Sequence, residues 1–230
     1  MKLLSKSPKT IKSDKSGKGY LTGIMYLAPH KLSGRNTCPN ASPGCIAACL
    51  NTAGRGQMNS VQKARIRKTD FYFDNRPAFK AQLFEEITAF ERKCIKLGVH
   101  AAIRLNGTSD IPWERIFPDM FTVFPQVQFY DYTKSYRRAL LSVLHAGRPK
   151  NYHLTFSRSE CNDKQVTGVL AAGGSVAVVF DKKQLPLDFQ GFPVYNADET
   201  DLRFLDKPGV QGLYAKGKAK RDTTGFVVLT

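Results

Sequence analysis

The sequence predicts an α/β protein whose parallel strands form a full or partial barrel. From His100 onward, short runs of branched and aromatic residues alternate with helical segments. These runs are almost continuously apolar, which favours parallel pairing with right-handed crossovers over a sheet with one solvated face. Polar residues follow each run, at the strand ends where parallel α/β folds build their active sites.

The beginning of the chain has a different composition. Residues 1–19 alternate lysine with serine, glycine and threonine and contain few large apolar residues. This composition predicts a mobile basic arm that stays outside the core. No linker of low complexity divides the remainder, so residues 20–230 are predicted to form one domain.

The first predicted strand is Tyr20–Leu27, which stops before Pro29 and delivers the chain to a cysteine-containing segment. After Gly56 the pattern becomes helical. Pro77 is suited to opening a helix, and Gly98 ends it. Between them apolar residues recur at steps of three and four, namely Phe79, Leu83, Ile87, Phe90, Cys94 and Leu97. Cys94 lies on this stripe and is therefore predicted to be a core residue.

Six further strands and three further helices complete the prediction. The strands are His100–Leu105, Val127–Tyr132, Tyr152–Phe156, Ser175–Phe180, Phe192–Tyr195 and Val210–Tyr214. The helices are Trp113–Phe117, Tyr136–His145 and Asp163–Ala172. Together these elements supply the alternation on which the barrel prediction depends.

Polar residues after the predicted strands are candidates for a ligand pocket. Each one alone is explained by helix capping, but the set exceeds what capping requires. Lys134 and Arg158 suit a carboxylate or phosphate, whereas Asp110, Glu160 and Asp198 suit hydroxyl or amine groups or proton transfer. The candidate catalytic residues are Asn106, Ser109, Asp110, Asp131, Lys134, Ser157, Arg158, Glu160 and Asp198.

Residues Asn36–Gly56, here called the cysteine loop, carry three of the five cysteines in a C-x6-C-x3-C spacing. Thiolates held this close are typical ligands of zinc, copper(I) or an iron–sulfur cluster. A structural zinc site usually has four ligands in paired spacing, and no second pair follows. Cys38, Cys45 and Cys49 are therefore predicted to bind a [4Fe-4S] cluster with one iron open to another ligand.

Two alternatives remain open at this point. One is zinc, and the other is no metal, with a disulfide and a free thiol in the cysteine loop. For a fourth ligand the sequence offers His30, eight residues before Cys38, and the more remote Cys161.

The charge balance suggests a polyanionic partner. The chain carries 35 Lys and Arg against 19 Asp and Glu, a formal net charge of +16. A nucleic acid or nucleotide partner is one interpretation, and solubility alone is the other. No apolar run approaches the roughly 20 residues that span a bilayer, and no signal-peptide segment is present. We therefore expect a cytoplasmic location in whatever cell makes the protein.

Several strings resemble the phage-borne gene product eighty-eight family, which also occurs on plasmids and prophages. They are NTCPNASPGCIAACLNTAGRG, RLNGTSDIPWERIFPD, QFYDYTKS, NYHLTFSRSE and ADETDLRFLD, in that order along the chain. The resemblance covers Tyr20 to the end. It implies a phage or mobile-element origin and a cluster bound at Cys38, Cys45 and Cys49.

The layout is also similar to that of radical S-adenosylmethionine enzymes, which place a three-cysteine [4Fe-4S] loop after the first strand of a partial barrel. This resemblance implies S-adenosylmethionine as a cofactor, although that superfamily typically spaces its cysteines C-x3-C-x2-C. Two hypotheses follow. The chain is an enzyme that binds a small molecule at the open iron, or it is a nucleic-acid-binding protein in which the cluster only staples a loop.

Overall fold

A single ten-stranded sheet organises the molecule. The computed structural model describes all 230 residues. The strands are β1 Leu4–Ser5, β2 Tyr20–Met25, β3 His100–Arg104, β4 Gln128–Thr133, β5 Tyr152–Ser157, β6 Ser175–Phe180, β7 Asp188–Phe189, β8 Phe192–Asn196, β9 Gly209–Tyr214 and β10 Val227–Val228. Their order is β1-β2-β3-β4-β5-β6-β9-β8-β7, and β10 pairs with β6 outside this path. The predicted strands are all present, with ends shifted by no more than two residues.

The sheet is mostly parallel and open. Every pair from β2 to β8 along this order is parallel. A closed barrel requires the two outer parallel strands to pair with each other, but β2 pairs with the antiparallel β1 and β8 pairs with the antiparallel β7. The prediction of a full barrel is therefore wrong, because local strands occupy both edges that closure would use.

Eight α-helices accompany the sheet. They are α1 Pro8–Asp14, α2 Pro43–Ala47, α3 Asn59–Asp74, α4 Arg76–Lys96, α5 Trp113–Ile116, α6 Asp119–Val123, α7 Tyr136–Val143 and α8 Asp163–Ala171. The longest, α4, starts where the Asn75 side chain accepts a hydrogen bond from the Ala78 N–H at 3.1 Å. It ends before Gly98, whose φ of 63° an L-residue adopts only with strain. No helix combines the length and apolar character needed to cross a bilayer.

The core lies on one face of the sheet. Its largest cluster contains 22 buried residues from α3 to α6 and strands β1 to β5. Cys94 belongs to this cluster and is 1% exposed, so its predicted place on the buried stripe of α4 is confirmed. A second cluster joins α7 and α8 to β5, β6 and β9. These helices cover one face and leave the carboxyl edge of the sheet to the loops.

Residues 1–19 are part of this structure. Leu3 and Leu4 are buried in the main core cluster, and Asp14 in α1 accepts hydrogen bonds from the backbone and the hydroxyl of Thr22. The prediction that these residues stay outside the core is therefore wrong. Two adjacent leucines within this lysine-rich segment pack against α4. There the Glu86 carboxylate accepts hydrogen bonds from both of their N–H groups.

The second face of the sheet carries a buried ion-pair network near α1, beside a small apolar cluster of Ala102, Tyr130 and Leu202. The Asp201 carboxylate accepts from Arg104 at 3.2 Å and from the Tyr130 hydroxyl at 3.2 Å, and it lies 3.4 Å from the Lys9 ammonium. Asp201 is 1% exposed, so these groups supply the partners that a buried carboxylate requires. No sequence pattern predicted this ion-pair network.

Candidate metal centre at the cysteine loop

The cysteine loop lies at the carboxyl edge of the parallel strands. It follows β2, and all three of its cysteines are reduced and partly buried. The Ser42 hydroxyl caps α2 by accepting from the Cys45 N–H at 3.2 Å, and Pro43 occupies the first turn of that helix. The string S-P-G-C therefore fixes Cys45 on a short helix.

Two of the thiols already receive backbone N–H groups. The His30 N–H donates to Cys38 Sγ at 3.3 Å, and the Asn51 N–H donates to Cys49 Sγ at 3.5 Å. Hydrogen bonds of this kind stabilise thiolates and tune the potential of the iron–sulfur clusters they bind. Each of these two sulfurs therefore has one backbone donor that favours its thiolate form.

Burial nevertheless keeps the metal-free thiols protonated at neutral pH. It raises the pKa of Cys38 and of Cys45, and it raises the pKa of Cys49 to about 11. The three sulfurs also act on one another, since the charges of Cys38 and Cys45 raise the pKa of Cys49 further. Binding of a metal to these thiols must therefore displace protons.

The side chains do not form a ready-made site for a single ion. No group of three or more His, Cys, Asp or Glu side chains is arranged to hold one metal ion. Tetrahedral zinc with Zn–S bonds of about 2.3 Å requires sulfurs about 3.8 Å apart. In a [4Fe-4S] cube each cysteine binds a different iron, so its sulfurs stand farther apart.

Lys134 supplies a cation beside Cys45. Its ammonium group donates to Ser157 Oγ at 3.1 Å and to the Arg158 carbonyl at 2.9 Å. Burial lowers the pKa of Lys134, and Cys45, once ionised, opposes this effect more strongly than Asp110 or Glu160 does. None of the salt bridges in the molecule includes Lys134.

Arg65 supplies a second cation, beside Cys49. It projects from α3, is 8% exposed and lies 4.6 Å above the Tyr26 ring. One of its nitrogens donates to the Asn51 side-chain carbonyl, and its Nε has no partner. Arg65 also forms no salt bridge. In the sequence it is one member of a basic run, and nothing there marks it as a site residue.

Glu160 attaches the cysteine loop to the end of β5. Its two carboxylate oxygens accept from the Gly44 N–H and from the Ser42 hydroxyl, both at 2.7 Å. A Cβ atom at position 44 would lie 2.7 Å from Glu160 Oε2 and closer still to Thr224 Oγ1. An alanine at position 44 would therefore have to displace the Glu160 carboxylate and the Thr224 hydroxyl.

Asp110 attaches the loop to β4. Its N–H donates to the Thr37 carbonyl at 2.8 Å, next to Cys38, and its carboxylate accepts from the Lys134 N–H at 2.9 Å. The same carboxylate accepts from Arg138 at 2.6 Å. The structure thus brings Asp110, Lys134, Ser157 and Glu160 together around the cysteines. Arg138, which anchors this arrangement from α7, was not among the candidates.

Asn106, Ser109 and Asp131 lie beneath this group in buried hydrogen bonds. The Asn106 side-chain carbonyl accepts from Ser109 at 2.8 Å and from the Trp113 ring nitrogen at 3.1 Å. Asp131 accepts from the Asn106 N–H at 2.6 Å and from the Tyr152 hydroxyl at 2.7 Å. These contacts shape the loop after β3 and use the polar atoms of the three residues internally.

Three further candidates, Asp198, Cys161 and His30, have other partners or reach the cysteine loop only through the backbone. Asp198 accepts from the Tyr214 N–H at 2.8 Å and from Lys216 at 2.5 Å, so its partners lie on β9 and just after it. Cys161 is exposed, and its Sγ lies 3.7 Å from Ser159 Oγ. His30 contacts Cys38 through its backbone, and its Nδ1 is buried without a partner.

Comparison with known proteins identifies the family. A family model described as Gene product 88 matches residues 1–229. The chain belongs to the gene product 88 family. The resemblance seen in the sequence is confirmed, and the match also includes the first 19 residues. No curated protein and no solved structure gives a significant match.

Proposed function

We propose that this member of the gene product 88 family holds a [4Fe-4S] cluster on Cys38, Cys45 and Cys49. In this proposal one iron is open at the carboxyl edge of the sheet. The observation that carries the proposal is the pair of cations, Lys134 and Arg65, which form no salt bridge and act on the thiols of Cys45 and Cys49. Buried charges in proteins are normally paired, and a thiolate-ligated cluster would supply the missing negative charge.

The residues around the loop suit an enzyme acting on a small molecule or a nucleotide. A cluster with an open iron supplies either a Lewis acid or an electron to a bound ligand. Lys134 and Ser157 stand where they would orient an anionic ligand, and Glu160 and Asp110 hold the loop in place. S-adenosylmethionine is one candidate ligand, because the three-cysteine loop follows a strand of a parallel sheet.

Anaerobic purification followed by iron and sulfide analysis tests the cluster directly. We expect about four irons and four sulfides per chain, and loss of the brown colour when any one of the three cysteines is changed to serine. Cys94→Ser is the matched control and should retain the cluster. Full iron and sulfide content in Cys45→Ser would refute the ligand assignment. Electron paramagnetic resonance of the reduced protein, with and without S-adenosylmethionine, tests the open iron.

One observation favours a second function, nucleic-acid binding with the cluster as a staple. The basic turn Gly217–Arg221 lies against the cysteine loop, where a Cβ at Gly217 would be 2.8 Å from the Ala53 side chain. Replacing Lys218 and Lys220 by glutamine would then lower the slope of log affinity against log salt on duplex DNA, by roughly 0.9 for each phosphate that is no longer neutralised. Absence of salt-dependent binding in the parent protein would exclude this function.

A further inference from the structure

Residues 222–230, here called the closing segment, complete the wall of the cysteine site from the far end of the chain. β10 pairs in parallel with β6 through Val227–Val179 and Val228–Phe180. β5 pairs with β6 only in the N-terminal half of β6, at Val176 and Ala177. The closing segment therefore occupies the place that β5 leaves at the carboxyl edge, next to the cysteine loop.

Phe226 brings this segment into contact with the site. It is 9% exposed and belongs to a small apolar cluster with Ala48, against which Cys45 packs. The Lys134 ammonium lies 5.0 Å from the centre of its ring, within the range of a cation–π contact. The ring thus lies next to both groups, in the apolar cluster that Cys45 packs against and within reach of the Lys134 ammonium.

Arg158 holds the closing segment in this position. Its Nη1 donates to the Gly225 carbonyl at 2.7 Å and to the Phe226 carbonyl at 3.1 Å. Its Nε donates to Asp163 at 2.9 Å, which fixes the guanidinium on α8. The pairing of β10 spans only two residues, and beyond it the Thr230 N–H and hydroxyl both donate to Asp181 at 3.0 Å. The two charge-assisted hydrogen bonds of Arg158 hold the other end of the closing segment, at Gly225 and Phe226.

We infer that Arg158 is a positioning residue that keeps Phe226 over the cysteine site and limits access of solvent to its thiols. Release of Arg158 would free the Gly225–Phe226 part of the closing segment and open the site beside Cys45. The purpose of this cover rests on the proposed function, since a cluster with an open iron needs protection from water and oxygen. Its test does not, because access to the thiols is measurable in the metal-free protein.

Site-specific alkylation of metal-free protein measures this access, with each cysteine quantified by mass spectrometry at about pH 8. Cys161 is exposed and Cys94 is buried in the core, so the chain contains its own fast and slow references. We expect Arg158→Ala and deletion of residues 222–230 to accelerate labelling of Cys45 about tenfold or more. Labelling of Cys94 should not change. A tenfold change corresponds to about 1.4 kcal/mol of opening free energy.

Arg158→Lys should restore part of the protection, because an ammonium group still reaches one carbonyl. Phe226→Ala should accelerate alkylation of Cys45 while β10 stays paired with β6. The matched control is Arg137→Ala, at an exposed residue of α7. Unchanged labelling of Cys45 in Arg158→Ala would overturn the inference, and so would equal acceleration at Cys94, which would make Arg158 a residue of general stability.

In cluster-loaded protein the same variants should bleach faster in air. Failure of the parent protein to bind iron would refute the proposed cluster, whereas the alkylation result would still decide the role of Arg158.

Discussion

Replacing Glu160 by glutamine should loosen the cysteine loop without unfolding the protein. The carboxylate accepts two hydrogen bonds of 2.7 Å from Gly44 and Ser42, and it forms no salt bridge. Hydrogen bonds to a charged group contribute about 1.5–3 kcal/mol each, against about 0.5–1.5 kcal/mol for neutral pairs. Because Glu160 is only partly buried, the lower values apply, and we expect a loss of about 2 kcal/mol.

Amide hydrogen exchange across residues 43–48 measures this loss. A change of about 2 kcal/mol in local opening accelerates exchange roughly 30-fold. Glu85→Gln, at an exposed position on α4, is the matched control. Unchanged exchange in the loop, or an equal acceleration in α4, would refute the tethering role of Glu160.

The same interaction predicts a dependence on pH. Burial opposes ionisation of Glu160, but the Gly44 N–H and the Ser42 hydroxyl outweigh it and lower the pKa of the carboxyl below its usual 4.5. The stabilisation is therefore complete above that pH and is lost as pH falls through the lower folded value. Protection of the loop should decline in acid in the parent protein and remain nearly constant in Glu160→Gln.

Three further changes test other parts of the structure. Gly44→Ala should open the loop and the closing segment together, since its Cβ would collide with Glu160 and Thr224, and exchange at both segments measures this. Deletion of residues 1–7 should lower the free energy of unfolding in urea, since burial of Leu3 and Leu4 contributes roughly 1.5–3 kcal/mol each; an unchanged midpoint would favour a dispensable arm. Burial raises the pKa of Asp131 to about 7, so its contribution to stability should fall by up to roughly 4 kcal/mol between about pH 4 and 7. Asp131→Asn should flatten that profile.

The parallel strands were predictable because their cause is local. A run such as SVAVVF at Ser175–Phe180 is branched and apolar throughout, which fits a strand buried on both faces. Closure of a barrel is not local. Closure depends on which strands pair with the two edges of the parallel sheet. Here these are β1 and β7, and strands of two residues are too short to show a periodic pattern in the sequence.

The site was predictable only in part, for a related reason. The three cysteines are close in sequence, so their spacing can be read from one loop. The orientation of a polar side chain depends instead on the residues that the fold brings next to it. Asn106 follows a strand as a pocket residue would, yet its side chain bonds to Ser109 and Trp113 in its own loop. Arg65 and Arg138 sit in helices among other basic residues, and nothing in the sequence separates the buried arginines from the exposed ones.

The surroundings of the cysteine loop set an order of assembly. Gly44 and Glu160 are 116 positions apart, and the closing segment comes from residues more distant still. Contacts between such remote segments form late, because closing long stretches of chain costs entropy before any contact repays it. A peptide of residues 36–56 would carry the three thiols but neither Lys134 nor the Glu160 tether. The finished environment therefore belongs to the folded apoprotein, and a cluster delivered before folding would meet only a flexible peptide.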